Sequence, residues 1–245
     1  EKKGAQNGAY IHVPDVEMFE RLNQASGNRV RLLDVAPEVD GAMELIEKCH
    51  DKAVISLAHT CADYHTAMQA FDAGASHMTH LYNAMPPYSH RAPGPIGAAA
   101  DKEKVEVELI TDGVHIHPAS VRTTFKIFGD GRIIFISDSM RATGLDDGEY
   151  TLGGQDVKVT GNRAVLADGT IAGSATNLLD CMRTAVLRMG IPLESAVKCA
   201  TANPAKSVGI YDEYGSISPG KKADVVLLRK EDLSLKHVIL EGGLV

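Results

Sequence analysis

The order of apolar and polar positions predicts strands and helices in alternation over roughly the first 140 residues. Short apolar runs are typical of buried strands, and apolar residues three or four positions apart are typical of helices. The predicted strands lie at 30–36, 53–58, 75–79, 105–110 and 133–136, and the predicted helices at 16–26, 41–52, 63–74 and 118–128, the second of them capped by Asp40. Strands that alternate with helices form parallel sheets, so we expect an α/β fold.

The pattern changes after residue 145. Short strands at 150–152, 155–159 and 163–166 are separated by glycine-containing turns, which predicts β-hairpins. A helix with Ser174 as its N-cap is then expected to run to Met189, followed by a second helix at 193–208 and by strands at 223–228 and 237–240.

Five parallel strands are too few to close an eight-stranded barrel, so about three further strands would have to precede Glu1. The fold class that follows is α/β: the C-terminal portion of a TIM-like (β/α)8 barrel plus a small β-sandwich appendage. The expected divisions are a partial barrel at 1–145, a β-hairpin insertion at 146–172, closing barrel helices at 173–215 and C-terminal strands of the small β domain at 216–245.

Composition and charge exclude several classes of partner. The net charge is −7 and no basic run occurs, which argues against nucleic acid and against an anionic membrane surface. Any phosphate group would therefore need a local cation. The four cysteines show no CxxC spacing, and no apolar run is long enough to be a transmembrane helix, so we expect a reduced, cytoplasmic setting.

Polar side chains follow four successive predicted strands at the point where each strand ends. His59, His80, His115 (with Asp112) and Asp138 occupy these places. The carboxyl ends of parallel strands meet at one edge, where such folds build their sites. Two neutral imidazoles make half of a zinc site, with iron and cobalt as alternatives, and an Asp beside a metal-activated water is a natural proton acceptor. Asp138 is the candidate for that role.

Three further positions leave alternatives open. Arg91, in a proline-rich loop beyond His80, is either an anion clamp or an exposed surface residue. Residues 170–174 either present backbone N–H groups to a ligand or simply precede a helix. Asn83 either offers its amide to a ligand or only forms a turn.

These segments together resemble the N-acetylglucosamine-6-phosphate deacetylases of the amidohydrolase superfamily. The segments that carry the resemblance are Leu57-Ala58-His59, Thr79-His80-Leu81-Tyr82-Asn83-Ala84-Met85, Arg91, Asp112-Gly113-Val114-His115, Ser137-Asp138 and Ile171-Ala172-Gly173-Ser174. The tail, at 200–205 and 215–226, resembles the closing segment of the superfamily in general. The stretch around His80 is more specific to the deacetylases than the tail is.

The resemblance implies metal-dependent hydrolysis of the acetamide of N-acetylglucosamine 6-phosphate, in amino-sugar catabolism and by a homodimer. It implies that His59 and His80 bind the metal and that Asp138 is the catalytic acid and base. The implied substrate-binding residues are Ala5, Asn83, Ala84, Arg91, His115, Ile171, Ala172 and Gly173, with Gln6 and Asp112 as further candidates. At Gln6, several members of the family have a His.

One feature of the family has no counterpart in this sequence. The deacetylases carry a metal-binding Glu in a His-Leu-Glu-Gly-Pro-Phe motif, which is expected upstream of the Lys-Lys-Gly-Ala loop that begins at Lys2. We therefore expect the third ligand to precede Glu1, and the 245 residues alone to be inactive or poorly folded. The rival interpretations are another amidohydrolase, such as a cyclic amidase or deaminase, and a catalytically silent fragment that only binds sugar phosphate.

Overall fold

A five-stranded parallel sheet forms the centre of the molecule in the computed structural model, which describes all 245 residues. Its strands pair in chain order, and their bounds are β1 (Leu32–Val35), β2 (Val54–Leu57), β3 (His77–Met78), β4 (Glu106–Ile110) and β5 (Ile133–Ile136). The predicted parallel α/β sheet is thus confirmed. Closure into a barrel, the β-sandwich and the domain boundaries stay predictions.

Eight α-helices accompany the strands. They are α1 (Val16–Ala25), α2 (Ala42–Cys49), α3 (Tyr64–Asp72), α4 (Gly94–Asp101), α5 (Pro118–Phe128), α6 (Leu178–Leu187), α7 (Leu193–Ala200) and α8 (Ala202–Ser207), with a short 3-10 helix at Gly8–Tyr10. Asp15 and Asp63 cap α1 and α3 by accepting backbone N–H groups of the first turn. No helix is long and apolar enough to cross a membrane.

The main core lies between the parallel sheet and its helices. Ile55, Met78 and Leu109 on three neighbouring strands are fully buried, and they pack in one cluster with Ile46 of α2 and Ala67 of α3. Removal of these apolar side chains from water is the main force that holds the helices against the sheet. The carboxyl ends of the strands are left free to carry polar residues.

Two antiparallel sheets follow. The first contains β6 (Gly148–Leu152), β7 (Gln155–Thr160), β8 (Arg163–Leu166) and β9 (Ile171–Ser174), and the second contains β10 (Val225–Leu228), β11 (Leu235–Leu240) and β12 (Gly243–Leu244). The first sheet has a small apolar cluster of its own around Val157, Val159 and Ala164. This sheet also contacts the start of the chain, since Gln155 donates a hydrogen bond to the Ala5 carbonyl oxygen.

Several predicted boundaries are wrong for identifiable reasons. Ser174 does not cap a helix, because it is the last residue of β9, and Asn177 caps α6 instead. Gly41, with a φ of 84°, stands at the N-cap position predicted for Asp40. The helix predicted at 193–208 breaks at Thr201, whose φ of −133° and ψ of −74° are not helical. Helix α4 follows a proline-rich loop and was not predicted.

Candidate active site

A cavity of about 750 Å³ lies at the carboxyl ends of the parallel strands. Its walls combine strand ends, the first residues of the chain and strand β9. Among the residues singled out by the sequence, it brings together Ala5, Gln6, His59, His80, Asn83, Ala84, His115, Asp138, Ile171, Ala172 and Gly173. Eleven candidates that span 169 positions of sequence thus share one wall surface, which makes this cavity the candidate active site.

His59 and His80 face each other in this cavity. Their Nε2 atoms are 3.0 Å apart, and the rings meet edge to face with centroids 4.8 Å apart. His80 is buried, and its Nδ1 has no hydrogen-bond partner. Both rings therefore direct a nitrogen to the same point, as two ligands of one ion would.

A backbone hydrogen bond fixes the orientation of His59. Its Nδ1 donates to the Lys2 carbonyl oxygen at 2.9 Å, which leaves Nε2 with a free lone pair. Gly4 lies against the same ring, and a Cβ at this position would come within 3.4 Å of the His59 Cε1 atom. Burial lowers the pKa of His59, so the ring is neutral at pH 7. Neutral imidazole held through its second nitrogen is the form that binds metal ions.

The two histidines fit half of a metal site. Two nitrogens bound to one tetrahedral zinc at about 2.0–2.1 Å lie roughly 3.3 Å apart, close to the separation of 3.0 Å between the Nε2 atoms of His59 and His80. The structure places no third His, Cys, Asp or Glu with them in a group that could hold the ion. Glu1 is not part of such a group, and its carboxylate accepts from the Cys61 Sγ atom at 3.6 Å.

His115 enters the cavity with its ring oriented by Asp112. The Asp112 Oδ2 atom accepts from His115 Nδ1 at 2.7 Å, and Oδ1 accepts the backbone N–H groups of Val114 and His115. Burial of Asp112 acts to raise its pKa, but these hydrogen bonds outweigh burial and lower it. Asp112 itself does not line the cavity. Its position is that of a residue that holds His115 and directs Nε2 toward a ligand.

Asp138 lies between β5 and β9. Its carbonyl oxygen accepts the backbone N–H of Ser174 at 2.8 Å, and Gly173 packs so closely that a Cβ there would lie 3.0 Å from that oxygen. The side chain lines the cavity. Burial raises the pKa of its carboxyl group, and the neighbouring His80 and His115 act to lower it. A carboxyl group with a raised pKa is suited to exchanging protons near neutral pH.

Strained backbone is concentrated around this cavity. Eight residues other than glycine have a positive φ, and five of them are His59, His80, Tyr82, Ala84 and Asp138. Such conformations cost on the order of 1–3 kcal/mol each and persist where the surrounding structure enforces them. The strain indicates that the directions of these side chains are selected for a purpose other than stability.

The structure does not bring Arg91 into the cavity. Its side chain is exposed, and it lies outside the cavity wall. Sequence reasoning missed other residues that do line the wall, among them Asn7, Tyr10, Ile11, Met140, Leu152 and Gly153. The glycine pair at 153–154 signals a turn, but nothing in the sequence indicates that this turn meets the first residues of the chain.

An ionic cluster formed by the buried His77 with Glu106 and Glu108 lies next to the site, outside the cavity wall. His77 is 1% exposed, with Nε2 at 3.1 Å from the Glu108 Oε1 atom and Nδ1 at 3.2 Å from Ser207 Oγ. Burial acts to lower the pKa of His77, but the carboxylates of Glu106 and Glu108 outweigh it and raise the pKa to about 9. His77 is therefore an imidazolium ion at neutral pH.

This pKa makes the stability of the fold depend on pH. A group whose pKa is higher in the folded state than in the unfolded state stabilises the fold when it is protonated. The contribution of His77 is therefore fully present below its unfolded pKa of 6.5 and is lost as the pH rises through about 9. We expect the free energy of unfolding to fall by about 3 kcal/mol over that range. Urea unfolding at stepped pH checks this. In His77→Asn, this component should vanish; an unchanged pH dependence would assign it to another group.

Comparison with known proteins shows which family this chain belongs to. Residues 31–245 match the model of the amidohydrolase family. The chain belongs to the amidohydrolase family. This amidohydrolase is 42% identical to the N-acetylglucosamine-6-phosphate deacetylase of Bacillus subtilis, over 94% of this chain and 58% of the relative. It is 33% identical to the N-acetylgalactosamine-6-phosphate deacetylase of Escherichia coli O157:H7, over 100% of this chain and 64% of the relative.

Solved structures also resemble this amidohydrolase. A variant of the Mycobacterium smegmatis N-acetyl-D-glucosamine-6-phosphate deacetylase, in complex with N-acetyl-D-glucosamine-6-phosphate, superposes with a TM-score of 0.94 at 37% identity. The alignment covers 99% of this chain and 65% of that one. The chain therefore spans less than two thirds of the length of these relatives.

Proposed function

We propose that this chain carries the catalytic part of an N-acetylglucosamine-6-phosphate deacetylase, which hydrolyses the acetamide to release acetate and glucosamine 6-phosphate. The observation that carries the proposal is the single cavity in which His59, His80, His115 and Asp138 meet. The deacetylases named above match the chain over nearly its whole length, which supports the same conclusion. A homodimer and a cytoplasmic location stay predictions from the sequence.

The metal site would consist of His59 and His80 together with a third ligand. A divalent cation there, zinc with iron or cobalt as alternatives, would polarise the acetamide carbonyl and acidify the attacking water. The resemblance to the deacetylases predicts that the third ligand is a carboxylate upstream of Glu1. Among the 245 residues, no third His, Cys, Asp or Glu joins the two histidines in a group that could hold the ion.

Asp138 moves the protons of the reaction. Its carboxylate takes a proton from the attacking water, and the resulting carboxyl group then delivers that proton to the departing amine. Both steps use one group, since its raised pKa allows it to hold the proton between them. His115 donates from Nδ1 to Asp112, so its Nε2 atom is free to accept a hydrogen bond from a hydroxyl group of the substrate. The peptide groups of Ile171 to Gly173 line the sugar side of the cavity.

The test of this function is acetate release from a panel of substrates. Purified protein, both as the 245 residues and as a longer chain that extends upstream of Glu1, is incubated with zinc or cobalt and with one of four substrates. These are N-acetylglucosamine 6-phosphate, its galactosamine epimer, unphosphorylated N-acetylglucosamine and a cyclic amide. We expect the phosphorylated glucosamine derivative to be preferred in kcat/KM. Preference for a cyclic amide would replace the proposal with another amidohydrolase activity. Metal uptake without turnover of any substrate would favour a silent binding protein.

Arg91 provides a second, narrower test. The resemblance assigns it to the phosphate, whereas the structure leaves it exposed in its loop. If it closes on the phosphate, Arg91→Ala should raise KM for the phosphorylated sugar by about 10–100-fold, because a charge-assisted hydrogen bond is worth about 1.5–3 kcal/mol. KM for the unphosphorylated sugar should be unchanged. Equal effects on both substrates would mean that Arg91 does not bind the phosphate group.

A further inference from the structure

Glu108 holds the end of strand β3 with three hydrogen-bonding groups. Its Oε2 atom accepts the backbone N–H of His80 at 3.2 Å, and its carbonyl oxygen accepts the N–H of Leu81 at 2.8 Å. Its other carboxylate oxygen, Oε1, lies 3.1 Å from Nε2 of the imidazolium of His77. Glu108 does not line the cavity, so its hydrogen bonds reach the site through the backbone that carries His80, and, in addition to burial, its charge contributes to the raised pKa of Asp138.

His80 needs such a support more than His59 does. Its φ of 35° lies in the left-handed region, and this turn of the backbone brings its ring to within 3.0 Å of His59. The His59 ring is fixed through Nδ1 by the Lys2 carbonyl, but the His80 Nδ1 atom has no partner. The orientation of His80 therefore depends on how its backbone is held. The Glu108 carboxylate accepts from its N–H, and the Asn83 side chain donates to its carbonyl oxygen, each at 3.2 Å.

We propose that Glu108 is a positioning residue for the candidate metal ligand His80, and that His77 keeps the Glu108 carboxylate in place. The proposal rests on the proposed function in one respect, namely that His80 binds the metal. The carboxylate is well suited to the task because it has two acceptor oxygens, one for the His80 N–H and one for the ring of His77. Outer groups that orient a metal ligand contribute about 10–100-fold to metal affinity.

Glu106 is a matched control on the same strand. It lies two residues earlier and faces the same ring, with its Oε2 atom 3.8 Å from His77 Nδ1. It makes no hydrogen bond to His80. Shortening Glu106 therefore disturbs the charge environment of His77 while leaving the support of the His80 backbone intact.

The experiment compares Glu108→Asp, Glu108→Gln and Glu106→Asp with the unaltered protein. The change to Asp keeps the charge but withdraws both oxygens by roughly 1.5 Å, one carbon–carbon bond. Gln keeps one acceptor oxygen in reach of the His80 N–H and places its NH2 group toward the His77 ring, so it removes the contact with His77 and keeps the contact with His80. Cobalt(II) is titrated while the visible spectrum of the bound ion is recorded. We expect Glu108→Asp to weaken cobalt binding about 10–100-fold, and Glu108→Gln and Glu106→Asp to stay within about threefold.

A second measurement needs no metal. In the metal-free protein, the ¹⁵N and ¹H signals of the His80 ring are expected to shift in Glu108→Asp and to stay unchanged in Glu106→Asp. If Glu108→Asp does not fold, Glu108→Ala carries the same expectations. Equal effects of Glu108→Asp and Glu106→Asp on both readouts would overturn the proposal. If a chain that extends upstream of Glu1 takes up no cobalt, the role of His80 as a ligand fails, and the ring signals still decide whether Glu108 orients it.

Discussion

Replacing Asp138 by Asn is expected to lower kcat by about 10²–10⁴-fold, the range that a positioned acid and base contributes. Asn has nearly the shape of Asp and tolerates the left-handed backbone, with a φ of 50°, that Asp138 adopts. The substitution therefore removes the proton acceptor without removing the turn that positions it. Acetate release under saturating N-acetylglucosamine 6-phosphate measures the loss.

Asp130 is the matched control for Asp138. Both are aspartates beside β5, but Asp130 precedes the strand and accepts hydrogen bonds from Lys198 and Ser195 at the opposite end of the sheet. Asp130→Asn should lower thermal stability and leave kcat unchanged. Metal uptake should remain in both variants. If Asp138→Asn kept its turnover, the proton would have to move through another group, and the mechanism proposed above would fall.

The sequence predicted the strand-end residues because that prediction needs only local information. His59, His80, His115 and Asp138 each follow an apolar run, and parallel pairing alone places the ends of successive runs at one edge. No contact between distant segments had to be known. The four residues consequently lie in one cavity, as the topology requires.

Features that depend on long-range contacts could not be predicted in this way. Ser174 and Asn177 are both good helix caps, and Ser174 is a strand residue only because it pairs with Arg163 of β8 and with the Asp138 backbone. The wall formed by Tyr10 and Ile11 depends on Asn7, whose side chain donates to the Gly153 carbonyl oxygen 146 positions away. Neither contact leaves a local pattern in the sequence.

The ionic cluster around His77 shows a further kind of contact that the sequence pattern alone does not predict. Alternation along the strand predicts that His77, three residues before His80, faces away from the site, and His77 lies outside the cavity wall. Its contact with Glu108 nevertheless links it to the backbone of His80. Alternation along a strand predicts which side a residue faces, whereas the partner across the neighbouring strand depends on the register.

The second large effect is expected on metal affinity when either of the two candidate metal ligands is replaced. His59→Asn and His80→Asn should each weaken zinc and cobalt binding by at least about 100-fold, since outer groups that merely orient a ligand already contribute 10–100-fold. Asn again tolerates the positive φ of both positions, 45° at His59 and 35° at His80, so that the loss is that of the imidazole and not of the turn. Calorimetric titration and metal analysis after dialysis measure it.

His117→Asn is the control for both histidine variants. His117 lies near the site in sequence, but it caps α5 by accepting the Ala119 N–H, and Asn is itself a good N-cap. Metal affinity should therefore stay at the level of the unaltered protein. Loss of binding in His117→Asn as well would indicate a general effect of histidine removal. Retained binding in His59→Asn and His80→Asn would mean that their 3.0 Å contact is an ordinary hydrogen bond between two rings.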